Sequence, residues 1–131
     1  LKEGIIDCVC SGHQPFQEHE KNIEFDLAPA GVTGFETALS ICYETLVEKN
    51  GFSWATLINK MSSNPSLILG QKREQLMVGS AANITIFDPK LAWNYDDQNR
   101  VSEATNSPFK KRNFTGKIIK TFCKGEEVYT F

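Results

Sequence analysis

The chain has 131 residues, of which 40% are hydrophobic and 23% charged, a size and composition that indicate one globular domain and exclude a disordered chain. Its formal net charge of -2 gives no basic excess of the kind that nucleic-acid-binding proteins show. No apolar run approaches the roughly 20 residues of a membrane span, and we expect no signal peptide, since residues 1–4 lead directly into the first predicted strand.

The first predicted element is a buried strand over residues 5–10, because this run is short and apolar. The strand stops at Ser11-Gly12, and a polar loop follows. A helix is predicted to begin after this loop, where Thr33 and Glu36 have the spacing of a capping box. Strand, loop and helix in this order form the repeating unit of a (β/α) barrel, whose chemistry lies at the C-terminal ends of the strands.

Three helices are predicted in the first half of the chain. Residues 34–49 carry apolar side chains every three or four positions, and Asn50-Gly51 is a typical helix end. Ser53 is predicted to cap a second helix, which the polar residues 62–65 should break. A short third helix should then begin at Pro65, the residue type favoured at the first helical position.

The pattern changes from helical to β-like in the second half, so we expect mainly β structure after residue 80. Residues 82–87 are predicted to form a strand that ends at Asp88-Pro89. A polar, irregular segment follows. Residues 117–123 and 126–131 are then predicted to form a hairpin about the Lys124-Gly125 turn.

The four cysteines are Cys8, Cys10, Cys42 and Cys123. We interpret them as reduced thiols of a cytoplasmic protein, with Cys8 and Cys10 on the same side of the first strand. The cysteines and two histidines lack the spacing of a structural zinc site, so no zinc held within this chain alone is expected.

The end of the first predicted strand, the loop and the start of the helix resemble the last barrel strand and the loop after it in dihydroorotases, which belong to the amidohydrolase superfamily. Residues 12–16 read Gly-His-Gln-Pro-Phe where the family has Asp-His-Ala-Pro-His. A Glu20-Lys21 pair and the sequence Ala-Pro-Ala-Gly-Val-Thr-Gly-Phe-Glu-Thr-Ala over 28–38 then match the family pattern closely. The resemblance continues with the strand after the barrel and with the tail, which carry these matching residues: 75–89, Ser102, Asn106, 107–109, Gly116 and 124–129.

The resemblance implies an α/β fold that is the C-terminal end of a (β/α)8 TIM-like amidohydrolase barrel plus part of a small β domain. Residues 1–70 would hold the last barrel strand, its loop and the C-terminal helices. Residues 71–131 would form the β-rich tail of the small composite domain. Neither unit closes with this chain alone, so we expect the rest of the barrel or another chain to complete the fold.

The resemblance also implies where a substrate would bind. Gly12 stands at the position of the family aspartate, which touches the metal-bound water and passes its proton to the leaving nitrogen. His13 matches the neighbouring histidine, Phe16 replaces a histidine that contacts the substrate carboxylate, and the backbone at Ala30 and Gly31 matches the one that contacts the dihydroorotate ring. These four residues are the predicted substrate-binding residues, and none is assigned to catalysis or metal binding.

Three of these positions also have a plainer interpretation. Gly12 can be a turn residue, His13 a structural hydrogen-bonding group, and Phe16 a packing residue of the loop. Glu18 or Glu20 can replace the missing base only within hydrogen-bond reach, and a solvated loop is the alternative.

The favoured functional prediction is a non-catalytic dihydroorotase homologue, impaired because Gly12 and Phe16 replace the family aspartate and histidine. Zinc is the cofactor of the family, and we expect none bound by this chain. The resemblance suggests aspartate carbamoyltransferase as a partner, since some non-catalytic members assemble with it. The alternative is an active zinc-dependent dihydroorotase that interconverts N-carbamoyl-aspartate and dihydroorotate in pyrimidine biosynthesis, and a third is a different cyclic-amide hydrolase.

Overall fold

The computed structural model describes residues 1–71 and 76–131, and it places a helical half before a three-stranded sheet. Gln75, the first residue of the predicted post-barrel motif, lies outside the described residues. The helical segments are α1 (Glu18–Lys21), α2 (Phe35–Cys42) with a π-helical continuation (Tyr43–Lys49), α3 (Trp54–Ile58) with a π-helical continuation (Asn59–Ser63), and α4 (Asn64–Ile68).

The predicted helix over residues 34–49 is confirmed as α2 and its continuation, and it ends at Asn50 with Gly51 in the left-handed conformation (φ 66°). The predicted capping box is wrong. The N-cap is Gly34, which has no capping side chain, and the Glu36 carboxylate instead accepts bonds from the distant backbone amides of Val101 and Ser102 (2.8 and 3.0 Å). Glu36 therefore ties the helix start to the segment that follows the first strand of the sheet.

The second helical stretch begins as predicted, because the Ser53 hydroxyl caps α3 by accepting a bond from the Thr56 amide (3.1 Å). The predicted break at residues 62–65 is wrong, since the wider π-helical turn leads directly into α4. Pro65 lies in the first turn of α4, where its missing N–H is tolerated.

The predicted strand over residues 5–10 is wrong for the described part of the chain, because these residues form no ladder. A strand needs a neighbouring strand to pair its backbone groups. Here the second helical stretch pairs some of them. The Val9 amide donates to the Lys60 carbonyl (2.9 Å), and the Lys60 ammonium donates to the Ile6 carbonyl.

The expected β structure after residue 80 is confirmed as an antiparallel sheet of order β1–β2–β3, with strands β1 (Ile84–Tyr95), β2 (Arg112–Cys123) and β3 (Glu126–Thr130). β1 does not end at Asp88-Pro89. A register shift between Asp88 and Ala92 lets the strand pass the proline, which has no N–H to donate to a regular ladder. The hairpin prediction is confirmed, with Lys124 and Gly125 both at positive φ (52° and 92°), as a two-residue primed turn requires.

The helical half packs on the sheet around Gly116 of β2. Its carbonyl accepts bonds from the Ser40 hydroxyl of α2 (2.6 Å) and from the Trp93 indole of β1 (2.9 Å). A Cβ here would lie 2.9 Å from Tyr43 Cδ1 and closer still to the Phe87 ring, so only glycine lets helix and sheet approach this closely. This contact fixes α2, and with it the loops that precede α2.

Two charged side chains are buried beside this contact. Glu44 accepts from the Arg112 guanidinium and from the Thr115 amide, both at 2.7 Å, so its charge is paired. Lys117 instead places its ammonium 3.5 Å from the centre of the Trp93 ring, and burial lowers the pKa of this amine from its ordinary value. No helix in the described ranges has the length and apolar character needed to cross a membrane.

Candidate functional site

The predicted site residues lie where two loops run side by side before α2. Residues 13 and 32 form an isolated parallel bridge, in which the Gln14 amide donates to the Val32 carbonyl (2.9 Å). The bridge brings the 12–16 loop beside the 29–34 loop. The bridge therefore places His13, Phe16 and Gly31 on adjoining loops.

His13 caps the start of α2 from the neighbouring loop. Its Nδ1 atom accepts from the backbone amides of Gly34 and Phe35 (3.1 and 3.3 Å), and its ring stacks on the Phe35 ring at 4.1 Å with an angle of 4° between the planes. An Nδ1 atom that accepts carries no proton, so the neutral ring holds its proton on Nε2. His13 thus acts structurally through Nδ1, and Nε2 is the ring atom that remains to meet a ligand.

Gly12 adopts the left-handed backbone conformation (φ 59°), which glycine takes up without steric cost. Space is not the reason, because a Cβ built on Gly12 meets no atom within 4 Å among the described residues. Aspartate is one of the side chains that tolerate this conformation best. The local fold therefore leaves room for the carboxylate that this chain lacks.

Phe16 packs under the Lys21 ammonium, which lies 5.4 Å from the centre of its ring. Lys21 also donates to the carbonyls of Pro29 and Gly31 (2.7 and 3.2 Å). The aromatic ring offers a substrate carboxylate no hydrogen-bond donor. Phe16 instead packs against the Lys21 ammonium, which bonds to the 29–34 loop.

Gly31 lies close against the Gln14 side chain of the 12–16 loop. Its φ is 128°, and a Cβ there would overlap the Gln14 side chain, so this position requires glycine. Its carbonyl accepts from both the Lys21 ammonium and the Asn106 amide (3.2 and 3.3 Å). Ala30 beside it is exposed, which leaves the peptide between them open to a ligand.

Asn106, in the segment between β1 and β2, joins both loops and was absent from the predicted site. Its Nδ2 donates to the carbonyls of Gln14 and Gly31 (2.9 and 3.3 Å), and its Oδ1 accepts from the Phe16 amide (3.2 Å). Its backbone carbonyl accepts from the Thr33 amide (3.3 Å). The sequence places Asn106 in the matching tail, but only the fold brings it within reach of loops some 90 residues earlier.

The two glutamates considered as substitute bases lie on α1 and are exposed. The Glu20 carboxylate accepts from the Gln17 amide (2.7 Å) and so caps its own short helix. These contacts favour the solvated-loop interpretation of Glu18 and Glu20.

The donor atoms present at this site do not fit a zinc ion by themselves. Zinc requires several nitrogen, sulfur or carboxylate ligands. Gly12 supplies none, and His13 has one ring nitrogen already committed to α2. Within residues 1–71 and 76–131, no group of three or more His, Cys, Asp or Glu side chains has a metal-binding arrangement.

Comparison with known proteins gives consistent matches over most of the chain. The family model described as "Amidohydrolase family" matches residues 1–128. A dihydroorotase of Endomicrobium trichonymphae is 42% identical over 130 residues, covering 98% of this chain and 31% of that protein. The dihydroorotase of Clostridioides difficile is 40% identical over 129 residues, covering 98% of this chain and 30% of that protein.

Solved structures match with the same coverage. A D-hydantoinase from Bacillus sp. AR9 superposes with a TM-score of 0.87 at 25% identity, over 98% of this chain and 30% of that chain. A dihydropyrimidinase from Brevibacillus agri superposes with a TM-score of 0.88 at 24% identity, over 98% and 29%. The mixed helical and three-stranded structure is thus consistent with part of a barrel enzyme, and the chain spans less than a third of the length of these proteins.

Proposed function

This chain belongs to the amidohydrolase family, and we propose that it is the C-terminal part of a catalytically impaired dihydroorotase-like protein of pyrimidine biosynthesis. Identities of 37–44% to dihydroorotases over nearly the whole chain support this choice over another cyclic-amide hydrolase. The D-hydantoinase and the dihydropyrimidinase share the fold at lower identity.

The observation that carries the proposed impairment is the absence of a titratable side chain at Gly12. Cyclic-amide hydrolysis requires a group that takes a proton from the attacking water and returns it to the leaving nitrogen. Gly12 has no such group. The nearest candidates have other tasks, because His13 Nδ1 caps α2 and the Glu20 carboxylate caps α1.

Substrate binding would be weakened at a second point. A substrate carboxylate that enters the loop beside Phe16 meets an aromatic ring instead of a donor, and the Lys21 ammonium nearby is already bound to two carbonyls. His13 Nε2 and the backbone at Ala30 and Gly31 remain as contacts. Residual ligand binding without turnover is the combination that these contacts support. Zinc, the cofactor of the family, would depend on ligands from outside this chain.

The exposed apolar side chains of the helical half support a partner that completes the fold. Ile5, in the segment before the 12–16 loop, is 78% exposed, and Phe35, the first residue of α2, is 70% exposed. Exposed apolar side chains of this size indicate a surface that another part of the protein covers. We expect the rest of the barrel or another chain to cover them, and aspartate carbamoyltransferase is the proposed partner of the assembled protein. The four cysteines are free thiols, which supports a reducing cytoplasmic location.

A chimera tests the impairment directly. The N-terminal part of the Clostridioides difficile dihydroorotase, joined to this chain, would supply the remainder of a barrel. We expect dihydroorotate turnover at least about 100-fold below that of the parent enzyme, the usual contribution of a general acid–base group. Gly12→Asp alone should stay inactive, and Gly12→Asp with Phe16→His should recover turnover.

A reciprocal experiment separates impairment from misfolding of the chimera. Glycine and phenylalanine, introduced into the parent enzyme at the positions that match Gly12 and Phe16, should abolish turnover while leaving the protein folded by circular dichroism. An unmodified chimera that turns over dihydroorotate near the parent rate would overturn the impairment. The active zinc-dependent dihydroorotase would then be the correct function.

A further inference from the structure

Asn106 has an unusual position relative to the candidate site. It lies between β1 and β2, yet its side chain bonds to the backbone of both site loops and to no side chain among the described residues. The two loops come from residues 12–16 and 29–34, so the amide bridges segments that are distant from it in sequence.

The orientation of the Asn106 amide follows from its partners. Nδ2 faces two carbonyl oxygens, of Gln14 and Gly31, and Oδ1 faces one N–H, of Phe16. A flipped amide would place Oδ1 against both carbonyls and lose all three bonds. Both polar atoms of the side chain are therefore directed at backbone groups.

We propose that Asn106 is a positioning residue, whose amide sets the spacing between the 12–16 loop and the 29–34 loop. Gln14 follows His13 in the chain and Gly31 is itself a predicted substrate contact, so this spacing determines how far His13 and Phe16 stand from the Ala30–Gly31 peptide. The part of this inference that concerns a ligand rests on the proposed function. The part that concerns the loops rests on the hydrogen bonds alone.

Two substitutions separate positioning from space filling. Asn106→Asp keeps the shape and an acceptor for the Phe16 amide, but it replaces the two donated bonds with oxygen facing the carbonyls of Gln14 and Gly31. Asn106→Ala removes the side chain. If the donors hold the loops together, the aspartate variant is at least as damaging as the alanine variant. If the side chain only fills space, the aspartate variant is nearly harmless.

The Gln14 amide is the reporter, because it donates to Val32 across the loop interface and not to Asn106. Amide hydrogen exchange of the chimera that completes the barrel, followed by NMR, should show Gln14 exchanging about tenfold faster in both Asn106 variants, the change expected when the equivalent of one hydrogen bond is lost. Asn113→Ala is the matched control. It removes one exposed side-chain bond to Asn94 on the sheet and should leave Gln14 unchanged.

Unchanged Gln14 exchange in both Asn106 variants overturns the inference, as does an aspartate variant that matches the unmodified chain while the alanine variant does not. Unfolding midpoints in urea show whether faster exchange is confined to the loops. Faster Gln14 exchange that merely follows a lower midpoint, with the strand amides accelerated equally, also overturns it.

Titration with dihydroorotate then tests the ligand part. A shift of the Gly31 amide signal in the unmodified chain and in Asn113→Ala, but not in the Asn106 variants, supports both proposals. A chain that shows the Gln14 response but no dihydroorotate shift overturns ligand binding at this site and leaves the positioning role supported.

Discussion

Gly116 offers a sharp test of how the helical half is fixed on the sheet. Gly116→Ala places a methyl group 2.9 Å from Tyr43 Cδ1 and 3.1 Å from Phe87 Cε1, with the Phe87 Cζ atom closer still. The backbone there also has a φ of 88°, which an alanine rarely adopts. The substitution therefore combines backbone strain with a steric clash at a single position.

Gly125 separates these two effects. Its φ of 92° is nearly the same, but a Cβ built on it meets nothing within 4 Å in the described part of the chain. A left-handed alanine costs roughly 1–2 kcal/mol at either position. Overpacking a filled region adds about 1–3 kcal/mol at Gly116 only. We therefore expect a loss of about 1–2 kcal/mol for Gly125→Ala and about 2–5 kcal/mol for Gly116→Ala in the free energy of unfolding.

Urea unfolding of the chimera that completes the barrel, followed by tryptophan fluorescence, measures both losses in the same buffer. The indole N–H signal of Trp93 provides a second reading, because its bond to the Gly116 carbonyl should lengthen as the strand moves away from the helix. Equal losses of unfolding free energy in the two variants would show that the Tyr43 and Phe87 side chains move aside without cost. The close packing of helix and sheet would then not depend on glycine.

Two further predictions concern His13 and Lys117. His13→Asn keeps an acceptor near the Nδ1 position, whereas His13→Leu removes it. The leucine variant should therefore be less stable by about 1 kcal/mol, the usual contribution of a helix cap. Equal stabilities of the two variants in urea would contradict the capping role. Burial lowers the pKa of Lys117 below its ordinary value of 10.5, so the unfolded chain binds this proton more tightly than the folded chain does. The free energy of unfolding should therefore rise with pH between the lowered value and 10.5, and Lys117→Met should remove this rise; identical pH slopes for the two proteins would refute it.

Local signals in the sequence predicted the helices and the hairpin well. Ser53 and the Lys124-Gly125 pair act on backbone within a few residues, so their effects can be read from neighbouring positions. The start of α2 could not be predicted in this way. Thr33 and Glu36 have capping-box spacing, but the cap comes from His13, more than twenty residues earlier, and Glu36 bonds to a segment 65 residues later.

The strand over residues 5–10 was predicted from composition alone, and composition does not supply a partner. Without a neighbouring strand, the segment uses the helical stretch around Lys60 for its backbone bonds. The end of β1 was misplaced for a related reason. Pro89 would end a regular strand, and whether a register shift accommodates it depends on the opposing strand β2.

For the candidate site, the resemblance indicated His13, Phe16, Ala30 and Gly31, and the structure brings the two loops that carry them together. It did not indicate what holds those loops. Lys21 and Asn106 act through backbone carbonyls, and such contacts leave no pattern in the spacing of side chains along the chain. Their assignment required the three-dimensional structure.

Residues 6–9, called here the leading segment, are bonded to the second helical stretch, and this has a consequence for the order of folding. The bonds from Lys60 to Ile6 and from Asn64 to Asp7 close loops of 54 and 57 residues, whereas the β2–β3 hairpin closes around a two-residue turn. Long loops are entropically slow to close, so we expect the hairpin to form early and the leading segment to dock late.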